Sequence, residues 1–478
     1  MNKKLYKFLI LFIFIIGFVF RLYKINNPIA DWHSFRQVDT ASVARNFIKN
    51  GIDPLRPRYD DLSNIQSGLD NPQGWRMVEF PFYQIVSAAV SMVLPKIPIE
   101  ISLRLVAIFA SMGTCLILIQ LAARNINKLT GILAGFVYAV LPYGVFYGRA
   151  ILPDGIMVFL SMTSLLYLDN FFRYKKGYHI WISMLFASLS VLVKPVAFFL
   201  LLPSIYIYIS NLSKKKAIWL KAIIYYAFIG FVLWWWRVWI TQFPEGIPSY
   251  NWLFNEGGIR FKGAWFYWLF AERVGKLILG YWGLIPFGLG MMFVEKKESW
   301  FFRFMGLGVI LYFVIVARGN VQHDYYQILA IPFISLYTAK GLVFILKKSN
   351  GYKFNSYLVG TVSILFMLAF SWYTIRSFYW INRPDIIQAG EKADQLLPKD
   401  AKVIAPYNGD TTFLYQTNRQ GWPLGFDIEN KIDMGASYYV TVSPTDDDFE
   451  TRRLSQEYTV IVRNDKYAII DLTKKKIQ

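Results

Sequence analysis

Runs of about 18 to 25 mostly apolar residues alternate with short polar connections as far as position 378. At 1.5 Å per helical residue each run is long enough to cross roughly 30 Å of hydrocarbon. The pattern predicts about eleven membrane spans, near 5–23, 101–123, 129–148, 155–172, 178–194, 195–212, 217–240, 265–293, 300–317, 326–346 and 356–378. The first run, Leu5 to Phe20, lies between MNKK and RLYK with no small-x-small cleavage pattern, and is read as a retained helix. The stretch PFYQIVSAAVSMVL (81–94) is apolar for only about 14 residues, which suits an interfacial or re-entrant helix better than a span. Beyond about 380 the pattern changes. A helical DIIQAGEKADQLL, a strand-like AKVIAP, a polar helix DTTFLYQ and strand-like YYVTVSP, YTVIVR and YAIIDL predict a small soluble α/β domain. The fold class expected is therefore mainly α, a polytopic transmembrane bundle over 1–378 with a first outer loop at 24–100, followed by an outer-face α/β domain at 379–478.

Composition agrees: 55% of the 478 residues are hydrophobic, 18% are aromatic and the mean hydropathy is +0.34. The formal charge of +20 invites a nucleic-acid reading. The Lys and Arg residues, however, gather in the short connections ARNINK (123–128), RYKKG (173–177), LSKKK (212–216), EKKES (295–299) and KKSNGYK (347–353), as in a membrane protein that fixes its orientation by charge. With the N-terminus inside, all five connections fall on the cytoplasmic side. Residues 24–100, 149–154, 241–264, 318–325 and the tail then face outward. The single cysteine, Cys115, excludes an intrachain disulfide and a Cys-rich metal site.

Four polar groups share the expected outer face. The first is DWHSFRQVDTASVARNF, from Asp31 to Phe47. As one helix it places His33, Arg36, Gln37 and Thr40 on a common face with Asp39 flanking Arg36. If the helix starts at Asp39, that residue is instead its N-cap. The second is GRAILPDG, where Arg149 is a candidate for meeting an anion and Asp154 for ordering a substrate or a basic partner, or for capping the next helix. In VLVKPVAFF, Lys194 is an ammonium in an apolar stretch, costly in lipid and hence a functional candidate, with a snorkelling lysine as the bland alternative. The fourth, ARGNVQHDYYQILAIP, brings Arg318, His323, Asp324, Tyr325 and Tyr326 to the start of a span. Arg260 and Lys262, in the loop 251–268, are further candidates. Cations at a lipid boundary suit a membrane-anchored phosphate, and a carboxylate or imidazole beside them suits general-base chemistry. No P-loop, GxGxxG after a strand or HExxH occurs, which argues against nucleotide-driven and zinc-protease chemistry. A divalent metal is possible, but no ligand spacing is diagnostic.

The order RAILPDG, VKP and HDYYQILAIP, with a large first outer loop after one span, resembles membrane glycosyltransferases of the GT-C superfamily. The closest branch is the dolichyl-phosphate-mannose protein mannosyltransferase and aminoarabinose lipid A transferase family. The resemblance implies transfer of a sugar from a polyprenyl-phosphate donor to a glycan, lipid or protein acceptor on the outer face of the cytoplasmic membrane. No nucleic-acid partner is expected, given the placement of the basic residues in short connections. The resemblance further implies that Asp154 is the second acidic position, that Lys194 lies near the donor phosphate and that His323, Tyr325 and Tyr326 belong to a donor-binding loop; Arg36, Arg149 and Arg318, cations on the same expected face, are further phosphate-binding candidates. The family's first-loop Asp-Glu pair is missing; Asp39 is favoured for it because it directly precedes TASVARNF, with Asp31 and His33 as further candidates. The competing class is a transporter or flippase of lipid-linked sugars, which would bury ionisable groups near the membrane midplane.

Overall fold

A computed structural model describes residues 2–212, 217–295, 298–347 and 353–476. LSKKK and KKSNGYK lie largely outside the described residues, as do Lys296 and Lys297 of EKKES. The chain divides into two compact units. One comprises Met1–Ile25, Arg104–Arg237 and Tyr250–Phe378; the other comprises Asn26–Leu103, Val238–Ser249 and Tyr379–Gln478. The first outer loop thus groups with the C-terminal segment, whereas the sequence pattern placed it with the membrane region.

The first unit is helical, and the chain is a multi-pass membrane protein. Among the described residues five helices are both long and apolar enough to cross a bilayer, beginning at Ile99, Pro153, Ile218, Asp324 and Asn355. This corrects the expected eleven, and the reason is local. Run 129–148 breaks into Lys128–Val140 and Pro142–Tyr147, and run 195–212 into Ala197–Leu200 and Pro203–Asn211, each with a proline opening the later piece. Run 265–293 is interrupted by a turn at Gly280, whose φ is 51°. Tyr178–Val193 and Phe301–Ile315 reach only 16 and 15 residues. The first helix, Lys3–Arg21, has 19 residues but carries Lys3, Lys4 and Lys7 in its opening turns.

Pro142 cannot donate the N–H that the Tyr138 carbonyl would otherwise receive. Arg21, fully buried, supplies the missing donors: its guanidinium bonds the carbonyls of Tyr138 (3.2 Å), Ala139 (2.8 Å) and Gly144 (3.1 Å). It also bonds Gly17 O (2.9 Å) and Ser111 Oγ (3.1 Å). A charge that reads as a helix-flanking residue is therefore the cap of a broken helix.

The second unit is built on a five-stranded mixed sheet of order β2-β1-β3-β5-β4, with β1 Lys402–Ile404, β2 Gln420–Trp422, β3 Ala436–Thr441, β4 Tyr458–Arg463 and β5 Ala468–Lys475. The β1 strand runs parallel to β2 and β3, and β5 runs antiparallel to β3 and β4. Side chains alternate across it. Val403, Val440 and Ile469 face the helix Pro384–Leu396 through Ile386, Ala389 and Ala393, while Ile404, Tyr439 and Ile470 pack with Trp422, Leu454 and Leu472. The first outer loop extends this body: Asp61 forms a parallel bridge with Gly421 at the β2 edge. The stretch 81–94 becomes the helix Phe82–Val93, whose 12 residues rise about 18 Å, short of a bilayer.

Candidate functional site

In the second unit the first-loop helix runs Ser34–Asn50, with His33 as its N-cap in the left-handed region (φ 55°, ψ 34°). The N-cap alternative for Asp39 is thereby corrected: Asp39 lies inside the helix, 2% exposed. Its neighbour is also different from the one expected. Arg36 pairs with Glu79 (2.7 Å), and it is Arg76 that pairs with Asp39 (2.7 Å). The other Asp39 oxygen accepts from Thr411 Oγ1 (2.8 Å), and Thr412 Oγ1 bonds Ser34 Oγ (2.9 Å), so the helix is tied to the C-terminal segment. Asp39 is grouped with Ser42, Tyr59, Asp60, Asp61, Thr411 and Tyr415, packed too closely to leave room for a water molecule. Asp60 pairs with Arg45 (2.5 Å), while Asp61 Oδ1 accepts from the Ser63 N–H (2.8 Å). Burial pushes the Asp61 carboxyl up to about 6, with the Asp39 charge adding to the effect and the Ser63 hydrogen bonds and Arg76 opposing it.

Asp31 stands in the turn that precedes the helix. Gln37 Nε2 reaches back to donate to Asp31 Oδ1 (2.8 Å) and to Trp32 O (2.9 Å). The half-buried His33 ring lies against Trp32 and Phe35, at centroid distances of 5.2 and 5.8 Å. Asp31 and His33 thus share one turn, and Arg36, Gln37, Asp39 and Thr40 occupy the helix behind them.

In the first unit the centre is an ion pair. Asp154, in the opening turn of Pro153–Tyr174 with Pro153 at the first position, is 3% exposed. Lys194 Nζ donates to both its oxygens (2.9 and 2.8 Å). Lys194 can reach it because Tyr178–Val193 stops there: the residue is extended (φ −151°, ψ 126°), as a residue preceding proline prefers. The ammonium also faces the rings of Tyr325 (5.4 Å) and Tyr326 (5.1 Å). These tyrosines belong to the tight turn Asp324–Ala330 that opens the buried helix Ile331–Lys347. Asp324 holds that turn in place. Its carboxylate accepts from Tyr147 Oη (2.5 Å) and lies 3.9 Å from Arg273, and its carbonyl accepts from Tyr143 Oη (2.6 Å). His323 stacks edge-on to Trp252 and lies beside both tyrosines.

Arg149 is buried and donates to Lys24 O (3.1 Å), a bond to the backbone. Arg260 bonds Ile315 O (3.3 Å), Lys262 is exposed, and Arg318 is half-buried with no hydrogen bond or ion pair among the described residues. Sequence reasoning missed Arg76, Glu79, Thr411, Tyr143, Tyr147 and Arg273. Arg76 and Glu79 carried a faint signal, as two charges in WRMVEFPF before an apolar run; the tyrosines and Thr411 carried none. Among the described residues no three His, Cys, Asp or Glu side chains group as a metal site would require.

Residues 84–236, about a third of the chain, match the family model described as dolichyl-phosphate-mannose-protein mannosyltransferase; the match contains Asp154 and Lys194 and neither the first-loop acids nor HDYYQ. No curated protein matches the sequence. Solved structures match over most of the chain. ArnT from Cupriavidus metallidurans bound to undecaprenyl phosphate aligns with a TM-score of 0.65 at 12% identity, covering 98% of each chain. The Archaeoglobus fulgidus oligosaccharyltransferase aligns at 0.55 and 12% identity, over 91% of this chain and 67% of that one. The mycobacterial arabinofuranosyltransferase AftD aligns at 0.57 and 15% identity, over 98% and 42%. At such identities the likeness is one of fold, shared over most of this chain with ArnT, the oligosaccharyltransferase and AftD.

Proposed function

We propose that this chain is an integral-membrane glycosyltransferase that moves a sugar from a polyprenyl-phosphate donor to an acceptor on the outer face of the cytoplasmic membrane. The observation that carries the reading is the Lys194–Asp154 pair beside Tyr325 and Tyr326: a partly buried ammonium held by a buried carboxylate at a helix start and flanked by two aromatic faces. Its cost in an apolar bundle is explained by a phosphate partner. The whole-length likeness to a protein solved with undecaprenyl phosphate supports the same donor class.

In the proposed reaction the acceptor O–H or N–H attacks the anomeric carbon. The bond from that carbon to the phosphate oxygen breaks, and the polyprenyl phosphate leaves with the electron pair. Lys194 stabilises the charge that develops on it, with the half-buried Arg318 as a second cation. The acceptor's proton goes to a first-loop carboxylate, and Asp31 is the residue we assign. Asp39, whose oxygens accept from Arg76 and Thr411, is the second candidate for that role. His323 and Asp324 position the tyrosine pair.

The test is incubation of the purified chain with a panel of polyprenyl-phosphate sugars, followby detection of free polyprenyl phosphate. Release from at least one donor in the presence of acceptor lipids or glycans is expected. Release from none, by protein that still binds polyprenyl phosphate, would overturn the transferase reading in favour of a carrier.

A further inference from the structure

The helix that opens with Asp154 closes on a second polar place. Arg173, nineteen residues later, lies about 28 Å along the axis, and Asp169 about 22 Å. Around Asp169 is a cleft of about 340 Å³ lined by Arg124, Asn125, Asp169, Arg173, Ser210 and Asn211, with Phe172, Tyr206 and Phe301 at its apolar side. Nothing in the proposed transfer uses it.

Its charge is unbalanced. Arg124 Nη1 donates to Asp169 Oδ2 (2.7 Å) and Asn170 Oδ1 (2.8 Å), and Arg173 Nε donates to the same Asp169 oxygen (2.7 Å). One carboxylate thus serves two guanidiniums. Arg173 is 43% exposed, and both its Nη groups are without a partner among the described residues. Ser299 and Asn125 bond each other across the wall (2.6 Å) and keep that side polar. A guanidinium anchored through Nε presents its Nη groups as a preset fork, the geometry that matches two phosphate oxygens. The aromatic side chains give an apolar neighbour to such a group, as a lipid headgroup with its chains would need.

We propose that this cleft, at the far end of the Asp154 helix, is a binding site for a phosphate-bearing anion, with Arg173 as its principal contact. A phospholipid headgroup and free phosphate share that chemistry, and the experiment separates them. The full chain in detergent is titrated with short-chain phosphatidylglycerol, short-chain phosphatidylcholine and inorganic phosphate, and bound species are counted by native mass spectrometry. Phosphatidylglycerol is expected to bind in preference to phosphatidylcholine, and Arg173→Gln to weaken that binding about tenfold, the loss of one charge-assisted contact. Arg173→Lys should retain an intermediate affinity. Lipid binding that millimolar phosphate leaves intact assigns the headgroup, and saturable phosphate binding that displaces the lipid assigns the free anion. Equal binding of the two lipids with no phosphate binding, or unchanged affinity in folded Arg173→Gln, would overturn the site.

Discussion

At the scale of single residues, the two first-loop acids are expected to fail in different ways. Asp39 and Arg76 form a buried pair, with side chains 2% and 7% exposed. Asp39→Asn leaves Arg76 buried beside a neutral amide, an uncompensated charge that typically costs 3–5 kcal/mol. The expected result is a lowered unfolding temperature, with turnover per folded molecule largely kept. Asp31→Asn should instead lower turnover per folded molecule by roughly 10²–10⁴, as for a lost general base. A stable but inactive Asp39→Asn protein would return the base to Asp39. The Lys194–Asp154 pair calls for a double-mutant cycle, because Lys194→Met alone strands a buried carboxylate. The single variant should fold poorly, and Lys194→Met with Asp154→Asn should recover the folded yield while donor binding stays weakened by about 1.5–3 kcal/mol, as for a lost charge-assisted contact. Wild-type donor affinity in the double variant would remove Lys194 from the phosphate site. Individual residues were only half legible in the sequence. Asp154, Lys194 and the HDYYQ turn stood out because charge is conspicuous in apolar surroundings. Arg76 and Glu79 pair with acid and base about forty positions upstream, and no local spacing encodes that.

At the scale of elements, the long helices and strands β1, β3, β4 and β5 followed from periodicity, while every miscount arose at a break. Pro142, Pro203 and the Gly280 turn cut apolar runs that hydropathy alone reads as continuous. The three-residue β2 was missed because Gln420, Gly421 and Trp422 show no alternation. That strand carries a consequence for pH dependence, since Asp61 is fully buried where the first outer loop bridges its edge. With the folded carboxyl at about 6 against an ordinary 3.8, the folded state binds the proton more tightly than the unfolded chain. Stability on this account falls as pH rises from about 4 to 6, and the full penalty, about 3 kcal/mol, is present above that range. Asp61→Asn cannot ionise and keeps an acceptor for the Ser63 N–H. Its unfolding temperature should exceed that of the parent by several degrees at pH 7.5 and equal it near pH 4. Identical midpoints at both pH values would show that the Asp61 charge carries no such penalty.

At the scale of the whole molecule, membrane class was legible from hydropathy, but the grouping of 26–103 with 379–478 was not, because it rests on contacts between segments more than three hundred positions apart, such as Thr411 with Asp39. Orientation is the expectation that this scale puts at risk. The described connections ARNINK and RYKKG carry Arg124, Lys128, Arg173, Lys175 and Lys176, and the positive-inside rule places them in the cytoplasm. On the expected topology the stretch from Tyr178 to Lys194 crosses, so a cytoplasmic Gly177 goes with an outward Lys194. On that same topology the segment after 378 is expected to face outward. Single cysteines test this directly because the chain's own Cys115 is buried and unavailable to polar reagents. Gly177 and Asn382 are both exposed, so accessibility does not favour either site. In intact cells treated with a membrane-impermeant maleimide, Asn382→Cys should label and Gly177→Cys should label only after permeabilisation. The reverse pattern would invert the molecule, place the Lys194–Asp154 pair on the cytoplasmic face and require a donor presented on that side. Labelling of both in intact cells would mean that the helix Pro153–Tyr174 does not carry its two polar ends to opposite faces.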